Sequence, residues 1–435
     1  MSRSEARDQV TADAAFHAGR VRRRFAALRQ RDAPTFFDNA AGAQVPDVVV
    51  AAMREHLERR NVQRGGRYER SRAVDSMILA TRRRVAAFLG AQGPEEIVFG
   101  LNATSLTRIA ADAVRSRLQP GNRVVVTQLD HEANVGPWLR LEHHGIEPRL
   151  WRLRGDAEAR LELEDLESIL RDGNVRLVAV PLASNVTGRI VDVAAVARLA
   201  RRHGAWTYVD AVHYGPHGPI DARALGVDFL VFSGYKIFGP HVGFLWGRRE
   251  LLNSLDAVRE QFIHSETPDA YEGGTQNFEA IAGVSGVLHY LATLDAEDAA
   301  AAPSPESCDE AEAGALRAAL VRSMGRIRAY ETELARELVR AIASVPGASI
   351  LGDPDPERAP DRVPTVSFAI EGKRPAAIVD HLASHGIQAR DGHMYAPQLL
   401  RAAGFDPDVG VVRVSLCHYN RLAELERFRQ ALRSA

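Results

Sequence analysis

From residue 123 to residue 246 the chain alternates short apolar runs with stretches of helical periodicity. The runs are Arg123–Thr127, 148–151, 177–181, Trp206–Asp210, 227–231 and 243–246. Between them lie segments such as 193–203, where Ala and Val recur at helical spacing among arginines. Strands separated by helices pair side by side only through crossovers. The alternation therefore predicts an α/β fold: a largely parallel sheet with helices on both faces and its sites at the carboxyl ends of the strands.

A chain of 435 residues, 46% hydrophobic and 26% charged, exceeds one core and predicts two packed units. We expect an N-terminal helical segment over 1–35, a large domain over 36–295, a surface insertion over 296–318 rich in Ala, Glu, Asp, Pro and Ser, and a small α/β domain over 319–435, against which the N-terminal segment can pack. The small domain reads as a helix over 324–343, a strand over Thr365–Ile370, a helix over 375–385, a strand over 411–416 and a closing helix from Leu422. A net charge of -1 gives no reason to expect nucleic acid or a membrane surface as partner, and the run Arg22-Arg23-Arg24 reads as a solvated helix face. Two cysteines, Cys308 and Cys417, exclude a disulfide framework and a cysteine metal cluster and fit a reducing compartment. Without an apolar signal core or spanning stretch, the expected location is cytoplasmic.

Two residues at strand ends carry chemistry. Lys236 follows the run before Ser233, and Asp210 ends the preceding run. A primary amine and a carboxylate at one end of one sheet suit pyridoxal 5'-phosphate (PLP): the amine forms a Schiff base with the cofactor aldehyde, and the carboxylate keeps the pyridine nitrogen protonated. The segment Gly100-Leu101-Asn102-Ala103-Thr104-Ser105 leads into a helix whose first N–H groups suit a phosphate.

With these residues placed, and with Phe36-Phe37-Asp38-Asn39-Ala40-Ala41, Asp130-His131-Glu132, Ser184-Asn185-Val186-Thr187-Gly188, Gly273-Gly274-Thr275 and Arg413-Val414-Ser415-Leu416-Cys417-His418-Tyr419-Asn420, the chain resembles class V aminotransferases, most nearly the group II cysteine desulfurases and selenocysteine lyases. The resemblance implies the PLP-dependent transferase fold of type I, with a mostly parallel seven-stranded sheet in the large domain. It implies that His131 stacks over the pyridine ring, that Asn185 lies beside the cofactor hydroxyl, and that His213, where desulfurases carry glutamine, bonds that hydroxyl or tunes the Schiff base. Thr104 and Ser233 would hold the phosphate, with Ala103 replacing a threonine. Thr275 would come from a partner protomer, which implies a homodimer. Arg413 would grip the carboxylate of a small amino-acid substrate, with Arg390 and Asn39 beside it, and Lys236 would take the substrate α-proton. No metal is implied, and the sequence names no sulfur acceptor.

One position departs from the desulfurases. Their catalytic cysteine falls, counting from Arg390, Gly392 and His393, at Tyr395, which cannot form a persulfide. Cys417, just after a strand, reads as a small buried residue. Relatives that lack this loop cysteine include carbon-sulfur lyases and epimerases, so the resemblance implies carbon-sulfur lyase chemistry by β-elimination, with Tyr395 shaping the pocket or protonating the leaving group. Epimerisation, transamination, desulfuration through another thiol and a non-catalytic binding module are the alternatives.

Overall fold

The structure, a computed structural model, describes residues 18–30, 32–294 and 306–435. Among the described residues, thirteen strands form three sheets. They are β1 (Thr35–Phe36), β2 (Ile97–Gly100), β3 (Arg123–Thr127), β4 (Glu147–Trp151), β5 (Val175–Pro181), β6 (Trp206–Asp210), β7 (Phe229–Ser233), β8 (Gly243–Gly247), β9 (Ala348–Leu351), β10 (Thr365–Ile370), β11 (Ile387–Gln388), β12 (Arg390–Gly392) and β13 (Val411–Ser415).

The large sheet has seven strands in the order β2-β8-β7-β6-β5-β3-β4. Only β8 runs against the others, pairing antiparallel with both β2 and β7. All five residues of β7 are buried, as are all but one of β5, because helices cover both faces. The covering helices start where the sequence supplies a cap. Asn102 and Ser105 form a reciprocal capping box at the start of Ala103–Arg115, and Asp192 accepts the Ala195 N–H at the start of Val193–Arg202. Helix Phe278–Ala292 is buried along nearly its whole length. It lies so close to helix Asp47–Arg59 that a Cβ at Gly286 would sit 3.0 Å from the Val49 Cα.

A buried ion pair closes one edge of this sheet. Arg82 holds Glu272 through two bonds, Nη1 to Oε1 at 2.5 Å and Nη2 to Oε2 at 2.9 Å, with both side chains at most 5% exposed. Glu272 also accepts the Phe99 N–H at 2.6 Å, Arg82 donates to the Ile97 carbonyl at 2.6 Å, and its guanidinium lies 4.7 Å from the Phe99 ring centroid.

The small domain is the four-stranded antiparallel sheet β12-β13-β10-β9, with helices Glu310–Ala343, Pro375–Ser384 and Leu422–Arg433. The first long helix starts at Glu310 rather than at 324. Asp309 and Glu312 form a capping box there, so part of the expected insertion is the helix's opening turns; 296–305 lies outside the described residues. Cys308, expected on the surface, is buried. Near the amino end, two short helices flank Phe25, which is fully buried against Tyr419 and Tyr290, with ring centroids 5.0 and 5.3 Å away. That anchor corrects the reading of the arginine run: Arg22 pairs with Glu424 at 3.1 Å and Arg24 reaches Thr293 Oγ1, leaving Arg23 exposed. Strand β1 then pairs in parallel with β11 of the small domain.

Candidate active site

A cavity of about 330 Å3 opens where the carboxyl ends of β3, β5, β6 and β7 meet the small domain, a size suited to a cofactor-scale ligand. Of the residues singled out from the sequence, Ala103, Thr104, His131, Asn185, Asp210, His213, Ser233, Lys236, Arg390, Tyr395 and Arg413 all line it. Asn39 and Thr275 do not.

Lys236 stands on a single turn after β7, and its Nζ donates to the Ala40 carbonyl. Burial, followed by the charge of Arg413, pushes its ammonium down to about 7, so much of the amine is neutral near neutrality. Asp210 is buried at the end of β6, where its Oδ1 accepts the Val212 N–H at 2.8 Å. Burial pushes its carboxyl up to about 6 against that hydrogen bond and the charge of Lys236. His131 accepts the Ala133 N–H on Nδ1 at 3.0 Å, which leaves its ring proton on Nε2. Burial and the charges of Lys236 and Arg413 lower it to about 4, so the ring is neutral.

Arg390 and Arg413 are directly opposed on β12 and β13. Like charges so placed repel, and Asp38 sits between them. Arg390 Nε reaches Asp38 Oδ2 at 2.9 Å, and Arg413 Nη2 reaches Oδ1 at 3.3 Å. The pair with one carboxylate carries one net positive charge, which suits one substrate carboxylate. Arg413 Nε is buried and unpartnered, a donor still open to a ligand.

The segment with Met394 and Tyr395 is fixed rather than loose. Both residues have positive φ, 51° and 58°. The Met394 carbonyl accepts Asn185 Nδ2 at 2.8 Å, and the Tyr395 carbonyl accepts the Glu132 N–H at 2.8 Å. The Tyr395 ring is 62% exposed at the cavity mouth, its centroid 5.4 Å from that of His131.

The remaining candidates differ in how this chain holds them. Asn39 is spent on the framework: its Nδ2 donates to the Ser415 carbonyl at 2.8 Å and to Asn420 Oδ1 at 3.2 Å, and Tyr419 donates to its Oδ1. His213 lines the cavity, but its Nε2 pairs with Thr365 Oγ1 at 3.1 Å, so one ring nitrogen is committed to the small domain. Thr275 borders a separate surface cavity of about 250 Å3 together with Gln63 and Arg64. Neither cysteine lines the active cavity; burial holds both thiols above their ordinary value, Cys417 well above it. The sequence reading missed Asp38 and Asp130. Asp130 is buried on the cavity wall, and its carboxyl is pushed well up by burial and then by Asp210. Both lie in motifs noticed from the sequence, adjacent to the residues then chosen.

The residues present fit pyridoxal phosphate. Asp210 is a buried carboxylate facing a cavity that holds no other cation but Lys236 and the two arginines, and the pyridine N–H would give it a partner. Asn185 Oδ1 is buried without a partner. The capped start of helix Ala103–Arg115 opens on the same cavity with Ser233 opposite, where a phosphate would lie.

A family model described as aminotransferase class-V matches residues 35–305 and 311–428. A cysteine desulfurase of Synechococcus elongatus is 30% identical over 96% of this chain, which spans 63% of that protein's length. The aminotransferase-like protein FGM3 of Gibberella zeae is 31% identical over 96% of this chain and 98% of its own. The crystal structure of the Escherichia coli cysteine desulfurase CsdA superposes with a TM-score of 0.79 at 26% identity, covering 96% of this chain and 98% of that one. Among the described residues, no helix is long and apolar enough to cross a membrane.

Proposed function

Because the chain belongs to the aminotransferase class-V family, whose members are PLP-dependent enzymes, we propose that it is a carbon-sulfur lyase acting on a sulfur-containing L-amino acid by β-elimination. The observation that carries this reading is Tyr395. It stands at the cavity mouth, at the position that the resemblance assigns to a desulfurase's thiol, while both cysteines lie away from the cavity.

Bound pyridoxal phosphate supplies an electron sink for the charge left on the α-carbon. Asp210 would pair with the pyridine N–H of the cofactor, and the neutral His131 would lie against its ring. Arg413 and Arg390 hold the substrate carboxylate, which fixes the α-hydrogen relative to Lys236. The neutral Lys236 amine takes that proton at Nζ. Tyr395 Oη gives a proton to the departing sulfur, which leaves as a thiol.

The test is a panel of cysteine, cystine and cysteine conjugates with assays for pyruvate, sulfide and inverted amino acid. Pyruvate is expected, with turnover lowered by roughly 10²–10⁴-fold in Tyr395→Phe. Inverted amino acid or a keto acid matching the substrate would replace the lyase with an epimerase or an aminotransferase. An unchanged Tyr395→Phe would remove the tyrosine from the chemistry.

A second protomer completes the phosphate site in this reading. Support comes from the surface position of Thr275 and Arg64 and from Phe262, which borders the same cavity and is 83% exposed. Sedimentation equilibrium is expected to give twice the chain mass; a monomer that retains full activity would reject the shared site.

A further inference from the structure

Four consecutive carbonyls in the loop that carries Asn185 each accept a hydrogen bond from the small domain. Arg413 Nη1 donates to the Asn185 carbonyl at 3.1 Å, Ser367 Oγ to that of Val186 at 2.6 Å, Arg362 Nη2 to that of Thr187 at 2.5 Å, and the Val363 N–H to that of Gly188 at 2.9 Å. The spacing is not accidental. Ser367 and Arg413 are cross-strand partners on β10 and β13, and Arg390 is the partner of Arg413 on β12, so the three form one row across the small sheet. Thr365, two residues before Ser367 on the same face of β10, takes up His213. At the end of the ladder the chain presses against the sheet: a Cβ at Gly188, whose φ is +74°, would come within 2.4 Å of the Thr365 carbonyl oxygen.

The donors are buried. Ser367 is fully buried, and Arg362 and Arg413 are 4% and 3% exposed. Arg362 has no carboxylate within ion-pair distance among the described residues; its guanidinium is given to the carbonyls of Thr187, Asp353 and Thr365. A buried arginine used to cap backbone oxygens fixes the path of the loop beneath it. That loop carries one side chain into the cavity, Asn185, whose Nδ2 is already tied to the Met394 carbonyl of the same small domain.

We propose that Ser367 and Arg362 are positioning residues for cofactor retention: the row of small-domain donors holds the 185–188 loop in the one path that presents Asn185 to bound pyridoxal phosphate, although neither residue lines the cavity. This rests on the PLP-dependent reading above. A loop freed of one bond spends part of its time on other paths, and the apparent affinity falls by the fraction of time the competent path is lost. The same ladder joins the substrate-carboxylate arginine to the cofactor's neighbour by a single hydrogen bond, so loosening it is expected to disturb both.

The experiment uses the full chain stripped of cofactor and titrated with PLP by absorbance. Ser367→Ala is expected to weaken PLP binding about 3- to 10-fold and to shift the absorption maximum of the bound cofactor, with apo-protein melting little changed. Arg362→Lys, which keeps the charge but loses the planar fork, is expected to fall between wild type and Ser367→Ala. In a double-mutant cycle, Ser367→Ala added to Asn185→Ala is expected to cost nothing further, because it acts through Asn185. Equal PLP affinity and identical spectra in wild type and both single variants would overturn the proposal, as would full additivity with Asn185→Ala. A wild-type chain that binds no PLP would sink the cofactor reading and the proposal together, a result distinct from either of these.

Discussion

Replacing Lys236 with alanine is expected to lower turnover by roughly 10²–10⁴-fold through loss of the base alone, with the covalent link to the cofactor lost as well. The amine is well placed for both tasks. It sits at the carboxyl end of β7 in a cavity it shares with Asp210 and Arg413, and burial brings its protonation to about 7. The sign of the pH dependence follows. Below that value the amine is an ammonium that can neither attack an aldehyde nor accept a proton; above it the neutral form dominates. Incorporation of PLP into wild-type apo-protein is therefore expected to rise with pH up to about 7 and then level off. Stopped-flow absorbance at a series of pH values checks the profile, and steady-state kinetics check the variant. A Lys236→Ala protein within tenfold of wild-type turnover would remove the lysine from the chemistry.

The second large effect concerns stability. Glu272→Gln is expected to destabilise the protein by about 3–5 kcal/mol, because it leaves the Arg82 guanidinium buried without its countercharge. The site offers no relief: the arginine is 5% exposed and is already committed to the Ile97 carbonyl. The double replacement Arg82→Met with Glu272→Leu removes both charges and is expected to recover most of the loss, as read from urea midpoints. Equal midpoints for Glu272→Gln and wild type would show that the charge is not needed.

Both predictions start from residues of different legibility. Lys236 and Asp210 could be read because strand, residue and turn are contiguous, and a short buried run followed by a polar residue marks a strand end. The strand Thr365–Ile370 and the start of helix Leu422–Arg433 could be read for the same local reason. The opening of helix Glu310–Ala343 was hidden by an Ala- and Glu-rich composition shared with disordered segments, although the capping box at Asp309 was there to find. Asp38 could not be assigned from pattern, since its partners lie more than 350 positions away along the chain. Asn39 stands in the same motif one residue from the cavity, and its amide bonds Ser415 and Asn420, partners that sequence proximity does not show. The carbonyl ladder at 185–188 has no sequence signature at all, because every residue type has a carbonyl.

The pairing of β1 with β11 has a consequence for how the molecule is made. Thr35 and Phe36 lie beside Ile387 and Gln388, and the Ser415 N–H donates to the Phe37 carbonyl at 2.7 Å. During synthesis β1 thus leaves the ribosome well before its neighbour β11 and must wait for some 350 residues to follow. Until release, the large sheet can assemble while the small domain stays open along that edge. Chains stalled before residue 387 would expose the edge to other chains, and the small domain expressed from Asp309 onward would lack its β1 neighbour.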